Sequence, residues 1–316
     1  MGANIALDFA AHGFDVRLTD CDSLQLGKGR DLVGSNAKVM KRSGLLSERV
    51  ASLLARISYV DNIRDAVDKA SLVVESVPEQ LELKRQVLAD IEGWCPRQAV
   101  LASNTSTFVP SLLAADLRHP KRMLIMHYWN PAHLIPLVEV VPHPQTARGV
   151  LKRVRSVLRR CGKEPVVLRK EVAGFIGNRL AFAMQREAMD LVARGIATPA
   201  EIDLVASSSF GRRIPVSGIF ATADLGGLDV YLAICESIFP DLCVSGKIPI
   251  ALSQLVEQGR MGVKSGHGWS QYAPTRALAL KNSVADELIR HAKRDKGGCV
   301  QARSIGPRGG AARKQI

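Results

Sequence analysis

The chain has 316 residues, 47% hydrophobic and 23% charged, with a formal net charge of +13. That length exceeds one ordinary core and predicts two domains. The apolar content is that of a soluble globular protein, and no run approaches the roughly 20 apolar residues of a membrane span.

The N-terminus has no basic segment leading into an apolar one, which argues against a secretory signal. The six cysteines at 21, 95, 161, 235, 243 and 299 show neither CxxC nor zinc spacing. They read as reduced, mostly buried thiols of a cytoplasmic protein. Positive charge invites a nucleic-acid reading, but its distribution argues against one. Lys293, Arg294, Lys296, Arg303, Arg308, Arg313 and Lys314 face only Asp295 beyond residue 292, in a Gly-rich stretch. Close to half of the excess therefore lies in residues 297–316 and just before them, a segment expected to be a disordered basic tail. The rest suits an anionic small molecule.

Residues 2–12 predict a helix, opened by Gly2 and closed at His12-Gly13, with a strand over 14–19 that ends at Asp20. Residues 22–56 predict one long helix or two, breaking near Ser43-Gly44. Strands are expected at 57–60 and 71–75, a helix over 81–94, a strand at 99–102 closed by Ser103-Asn104-Thr105-Ser106, and strands at 123–126 and 135–141. A helix over 146–161 and a strand at 165–168 complete an alternating α/β pattern, hence a doubly wound, mostly parallel sheet. Beyond residue 170 strand signals almost vanish. Helices are expected at 175–192, from Pro199, over 225–239 and near 250–258. The domains predicted are 1–170, a dinucleotide-binding α/β domain, and 171–296, an all-helical domain.

In such sheets ligands bind beyond the carboxyl ends of the strands. Polar residues mark those ends: Asp20, Glu75, Glu79, Ser103 to Ser106, and His127 with Asn130. Asp20 follows Gly2 at the spacing of a ribose-binding acid and favours NAD over NADP; a strand-terminal turn is the plainer alternative. His127 and Glu139 lie on consecutive strands joined by the Asn130-Pro131 turn, which can set a carboxylate on one imidazole nitrogen and free the other as a base. His133, His143 and His267 read as surface or structural.

SNTS (103–106), MHYWNP (126–131), LVEVV (137–141), GFIGNR (174–179) and GVKSGHG (262–268) resemble, in order and spacing, the L-3-hydroxyacyl-CoA dehydrogenase family. The resemblance implies a Rossmann-type domain followed by a helical one. It implies NAD-dependent oxidation of an L-3-hydroxyacyl-CoA to the 3-oxoacyl-CoA, as in fatty acid β-oxidation or short-chain acyl-CoA metabolism. His127 would be the base and Glu139 its orienting partner, with Ser106 and Asn178 near the reacting oxygen. Gly2, Asp20, Glu79, Lys84, Ser106, Asn130 and Lys264 would meet the NAD, no metal would be involved, and a homodimer would form through the helical domain. IPLVEVVPHPQT also resembles relatives that oxidise free hydroxy acids, of the L-gulonate, lens-crystallin and carnitine dehydrogenase type. H-Y-W-N-P stands for the family's usual H-F-F-N-P, and Ala173 for its proline. The basic 38–42 stretch is compatible with a CoA phosphate.

The first strand and the leading glycines of G-x-G-x-x-G have no counterpart before Gly2. The expectation is a sheet with a slot between two neighbouring strands, unpaired backbone on both sides, low stability and weak NAD binding. An inactive remnant with a structural role is the reading of another class.

Overall fold

A computed structural model describes residues 1–296; the expected tail, 297–316, lies outside the described residues. They fall into two compact units, residues 1–180 and a second beginning at Ala181.

The first unit alternates helices and strands. Helix α1 (Gly2–Ala11) leads to β1 (Val16–Thr19), then α2 (Ser23–Arg42) and α3 (Val50–Leu54), with β2 (Ile57–Val60) and α4 (Ile63–Val67) next. After β3 (Leu72–Glu75) come α5 (Leu81–Trp94), β4 (Val100–Ser103), α6 (Pro110–Leu113), β5 (Met123–Tyr128), β6 (Leu137–Pro142), α7 (Arg148–Arg160) and β7 (Glu164–Val167). Asp22 caps α2 by accepting from Leu24 N, and Gly44, at φ 73°, turns the chain out of it where the sequence breaks.

The strands form two sheets. β1 pairs with β2 in parallel, and β3-β4-β5-β6-β7 form a second ladder, parallel except for the β5–β6 pair. No ladder among the described residues joins β1 to β3, and Gly2 sits where the exits of both strands converge. A Cβ on Gly2 would lie 3.6 Å from a Leu18 methyl and 3.8 Å from Ser76 Cβ. The break expected between the β1–β2 pair and the larger ladder is thus observed. Its consequence is visible in burial: β4 and β5 are buried throughout, whereas Leu72, Val73 and Val74 of β3 are only half-buried.

Two apolar clusters cover the larger sheet. One packs Ile5 and Phe9 of α1 with Val154 and Leu158 of α7 against Val100, Leu124, Met126 and Val140. The other packs Val67, Leu88, Ile91 and Leu113 against Leu101, Met123 and Ile125. Helices on both faces make the doubly wound arrangement.

The second unit is helical: most of α8 (Gly177–Ala193), then α9 (Pro199–Ser208), α10 (Ile214–Ser217), α11 (Phe220–Gly226), α12 (Leu228–Ile238), α13 (Ile250–Glu257) and α14 (Pro274–Lys296). Thr198 and Glu201 form a capping box on α9. The helix expected over 225–239 is α12, begun three residues later because Gly227, at φ 87°, separates it from α11. No side chain of these helices is buried, and Phe182, Leu204, Phe220 and Leu225 are each more than 60% exposed.

The cysteine expectation needs correcting. All five described cysteines are free, yet only Cys95 and Cys161 are buried, and Cys21 is exposed on the turn after β1. Among the described residues, no helix is long and apolar enough to cross a membrane.

Candidate active site

The antiparallel β5–β6 pair sets His127 directly opposite Glu139. Both are buried, at 4% and 1% exposure. His127 Nδ1 lies 2.9 Å from Glu139 Oε2. The other carboxylate oxygen, Oε1, accepts the backbone N–H groups of Ile176 at 2.8 Å and Gly177 at 3.1 Å, at the start of α8. Burial pushes the Glu139 carboxyl up. The hydrogen bond from His127 and the two amides outweigh it and hold the group below the ordinary carboxylate range. A carboxylate fixed in this way takes the Nδ1–H and leaves Nε2 with its lone pair.

Two aromatic rings wall the imidazole, Trp129 at 5.4 Å and Phe175 at 5.2 Å between centroids. Phe175 has φ 56°, a left-handed backbone that costs a non-glycine residue about 1–2 kcal/mol. Its side chain is fully buried, which holds that turn and aims the next two amides at Glu139. Gly177 admits Trp129: a Cβ there would come within 2.3 Å of the indole Cζ2.

Asn178 follows on α8, and its Nδ2 donates to Ser106 O at 3.0 Å. His127, Glu139, Asn178 and Ser106 are thereby connected through the 175–178 turn. Beneath them, Asn104 Oδ1 accepts Tyr128 N at 2.8 Å, tying the β4 exit to β5.

Glu79 holds the 105–107 loop. Its Oε1 accepts from Thr105 Oγ1, Ser106 N (3.0 Å), Thr107 N (3.1 Å) and Thr107 Oγ1 (2.8 Å). Partial burial raises its carboxyl, and these bonds with the Lys84 charge bring it below the ordinary range. Lys84 is 1% exposed. Its ammonium reaches Glu75 Oε1 and Val77 O, each at 3.0 Å, and Glu79 Oε2 at 3.3 Å. Three acceptors match its three donors. Lys84 thus braces the loops from beneath, with Ser103 Oγ donating to the second Glu75 oxygen.

The remaining expected positions sit at strand exits or beyond. Asp20 is exposed after β1, with Oδ1 accepting Asp22 N at 3.0 Å. Asn130 is exposed and accepts from Asn4 Nδ2 at 3.4 Å. Lys264 is exposed in the second unit, within the 262–268 turn bridged by Gly262 and His267.

The α1 terminus fits a dinucleotide. Met1 is its N-cap residue and supplies no side-chain cap, so the first-turn N–H groups face outward as an anion site. Thr19 Oγ1 and Ser76 Oγ, at the exits of β1 and β3, are buried without partners. These unsatisfied hydroxyls suit the polar edge of a bound nucleotide. Thr19, Ser76 and the Ile176 and Gly177 amides were not singled out from sequence. The buried polar residues closing apolar strands were the available signal.

A doubly wound sheet with a histidine–carboxylate pair at its strand exits and an open helix N-terminus defines a dinucleotide-dependent dehydrogenase. Two family models match this chain: the NAD-binding domain of 3-hydroxyacyl-CoA dehydrogenase over residues 1–172, and that enzyme's C-terminal domain over residues 174–272. The chain belongs to the 3-hydroxyacyl-CoA dehydrogenase family. It is 32% identical over 289 residues to 5-formyl-3-hydroxy-2-methylpyridine 4-carboxylate 5-dehydrogenase of Mesorhizobium japonicum, covering 92% of this chain and 93% of that one. A solved structure of an enzyme of that name, described as an NAD+-dependent dismutase, superposes with a TM-score of 0.88 at 32% identity, covering 94% of this chain and 96% of the other. The human lambda-crystallin homolog is 37% identical over 238 residues, 75% of this chain and 74% of its own. The (S)-3-hydroxybutyryl-CoA dehydrogenase PaaH1 of Ralstonia eutropha superposes with a TM-score of 0.71 at 31% identity, over 86% of this chain and 95% of that chain. The protein is an NAD-dependent oxidoreductase of this family.

Proposed function

We propose that the chain oxidises the hydroxyl of a small carboxylate-bearing substrate to a carbonyl. The observation that carries the chemistry is the buried His127–Glu139 pair. His127 Nε2 takes the hydroxyl proton while Glu139 holds Nδ1 and stabilises the imidazolium that forms. NAD, when bound, accepts the hydride from the same carbon. The Ser106 hydroxyl and Asn178 amide orient the reacting oxygen. Gly2, with the open α1 terminus, and Asp20 and Asn130 hold the dinucleotide; Glu79 and Lys84 act through the loop they brace.

Two things support a free acid over a CoA ester. A relative that matches over 92% of this chain and 93% of its own length is named for a pyridine carboxylate. In this chain the 38–42 stretch that could serve a CoA phosphate is also partly spent internally: Lys41 Nζ donates to Ser47 O at 2.8 Å. The second reading is L-3-hydroxyacyl-CoA, favoured by the likeness to PaaH1. NADH formation from L-carnitine, L-gulonate and a hydroxymethylpyridine carboxylate, set against (S)-3-hydroxybutyryl-CoA, decides between them. Turnover of the thioester alone rejects the free acid.

A second copy of the chain covers the exposed apolar helices of the second unit, since apolar surface on that scale marks an interaction site. Sedimentation equilibrium tests the dimer; a monomer at micromolar concentration rejects it.

A further inference from the structure

Asp8 and His12 stand four residues apart on α1 and so share one face. The turn between α7 and β7 brings Cys161 to that face. One donor atom from each of the three lies within 4.8 Å of the other two. None of these residues takes part in the His127–Glu139 pair or its loops.

Asp8 is 2% exposed. Its Oδ1 takes the Lys163 ammonium at 3.0 Å, while Oδ2 is buried with no partner. His12 Nδ1 lies 2.8 Å from the Asp8 carbonyl oxygen. Donation there leaves Nε2 with the lone pair, and Nε2 faces Gly162, 3.7 Å from where a Cβ on that glycine would stand. A ligating imidazole with its far N–H on a backbone carbonyl is the usual arrangement around a metal. Carboxylate, imidazole and thiolate together form a donor set for Zn2+ or Co2+.

We propose that Asp8, His12 and Cys161 bind a Zn2+-type divalent cation and pin the first helix to the α7–β7 turn. On binding, the Cys161 thiol releases its proton to solvent and the sulfur donates to the ion. Tetrahedral zinc spaces such donor atoms about 3.3–3.7 Å apart, so the widest separation closes by about 1 Å. The His12 side chain is 32% exposed, which gives the ion a path from solvent and leaves the fourth position to water. Lys163 also donates to the carbonyls of Ala132 and Ile135, so its charge stays in place. It holds the Asp8 carboxylate in position and weakens the ion's binding relative to a site without a neighbouring cation.

The test is Co2+ titration of the tag-free full chain, followed by displacement with Zn2+. One Co2+ per chain is expected, with a thiolate-to-cobalt charge-transfer band in the near ultraviolet and tetrahedral bands in the visible. Cys161→Ser is expected to abolish the charge-transfer band. His12→Gln is expected to weaken binding at least tenfold while leaving the melting temperature in EDTA unchanged, because His12 lies at the surface. Absence of a stoichiometric ion overturns the site. So does a charge-transfer band that persists in Cys161→Ser, which would assign the ion to another thiol such as exposed Cys21. Equal affinity in His12→Gln likewise overturns it.

Discussion

Replacing Glu139 by glutamine separates the electrostatic work of this residue from its structural work. The carboxylate serves three donors: His127 Nδ1 and the amides of Ile176 and Gly177. Alanine would leave all three buried and unpaired, at about 1–3 kcal/mol each, a large part of the roughly 5–15 kcal/mol that stabilises a domain. Such a variant reports folding rather than catalysis. Glutamine keeps the shape, and its amide oxygen still accepts from the two backbone groups. It removes the charge that stabilises the imidazolium and presents an N–H to His127 Nδ1, so the ring proton shifts to Nε2 and the base loses its lone pair. Loss of a hydrogen bond to a charged group, about 1.5–3 kcal/mol, predicts a fall in kcat of at least about 10- to 150-fold, and the wrong tautomer adds to it. The assay is steady-state NADH formation with the substrate found in the panel above, alongside the melting temperature and NAD affinity. A Glu139→Gln enzyme that is folded, binds NAD and turns over within twofold of wild type would refute the paired-base reasoning.

Gly177→Ala drives a Cβ into the Trp129 indole, and overpacking of this kind costs about 1–3 kcal/mol. Differential scanning calorimetry is expected to show a lower melting temperature, with activity falling as the Gly177 amide leaves Glu139. His133 has its pKa pushed down to about 4 from 6.5 by burial and then by the Lys163 charge. The unfolded chain therefore takes a proton that the folded one refuses, so stability falls as pH drops from about 6.5 to about 4. The loss is at most about 3 kcal/mol. Denaturant melts across this range are expected to show that decline, and His133→Gln to flatten it. Glu139 and Glu79, both held below the ordinary carboxylate value of 4.5, add a further loss only below about pH 4.5.

The His127–Glu139 pairing was legible because its geometry is local. Two strands joined by a short turn must place residues twelve apart face to face if the register allows, and it does. Helix 81–94 was legible through its amphipathic period and came out with the bounds expected. The separation of β1 and β2 from the larger ladder followed from the order of helices and strands along the chain. Other features were hidden for physical reasons. Lys84 reads from sequence as a helix lysine free to meet a ligand, and only the fold shows its ammonium already surrounded by three acceptors. The Asp8–Lys163 pair joins residues 155 positions apart, beyond any sequence period. The short helices at 63–67, 110–113 and 214–217 are too brief for periodicity to reveal. α14 has Lys, Arg, Asp and Glu interspersed among its apolar residues, and this polarity masked its face.

The most direct test of the account is NADH formation by the full chain and by His127→Ala, at matched saturation with NAD. The account predicts that His127→Ala binds NAD as the parent does and loses at least 100-fold in kcat with the preferred substrate. Comparable turnover by the two proteins would contradict the assignment of His127 as the base.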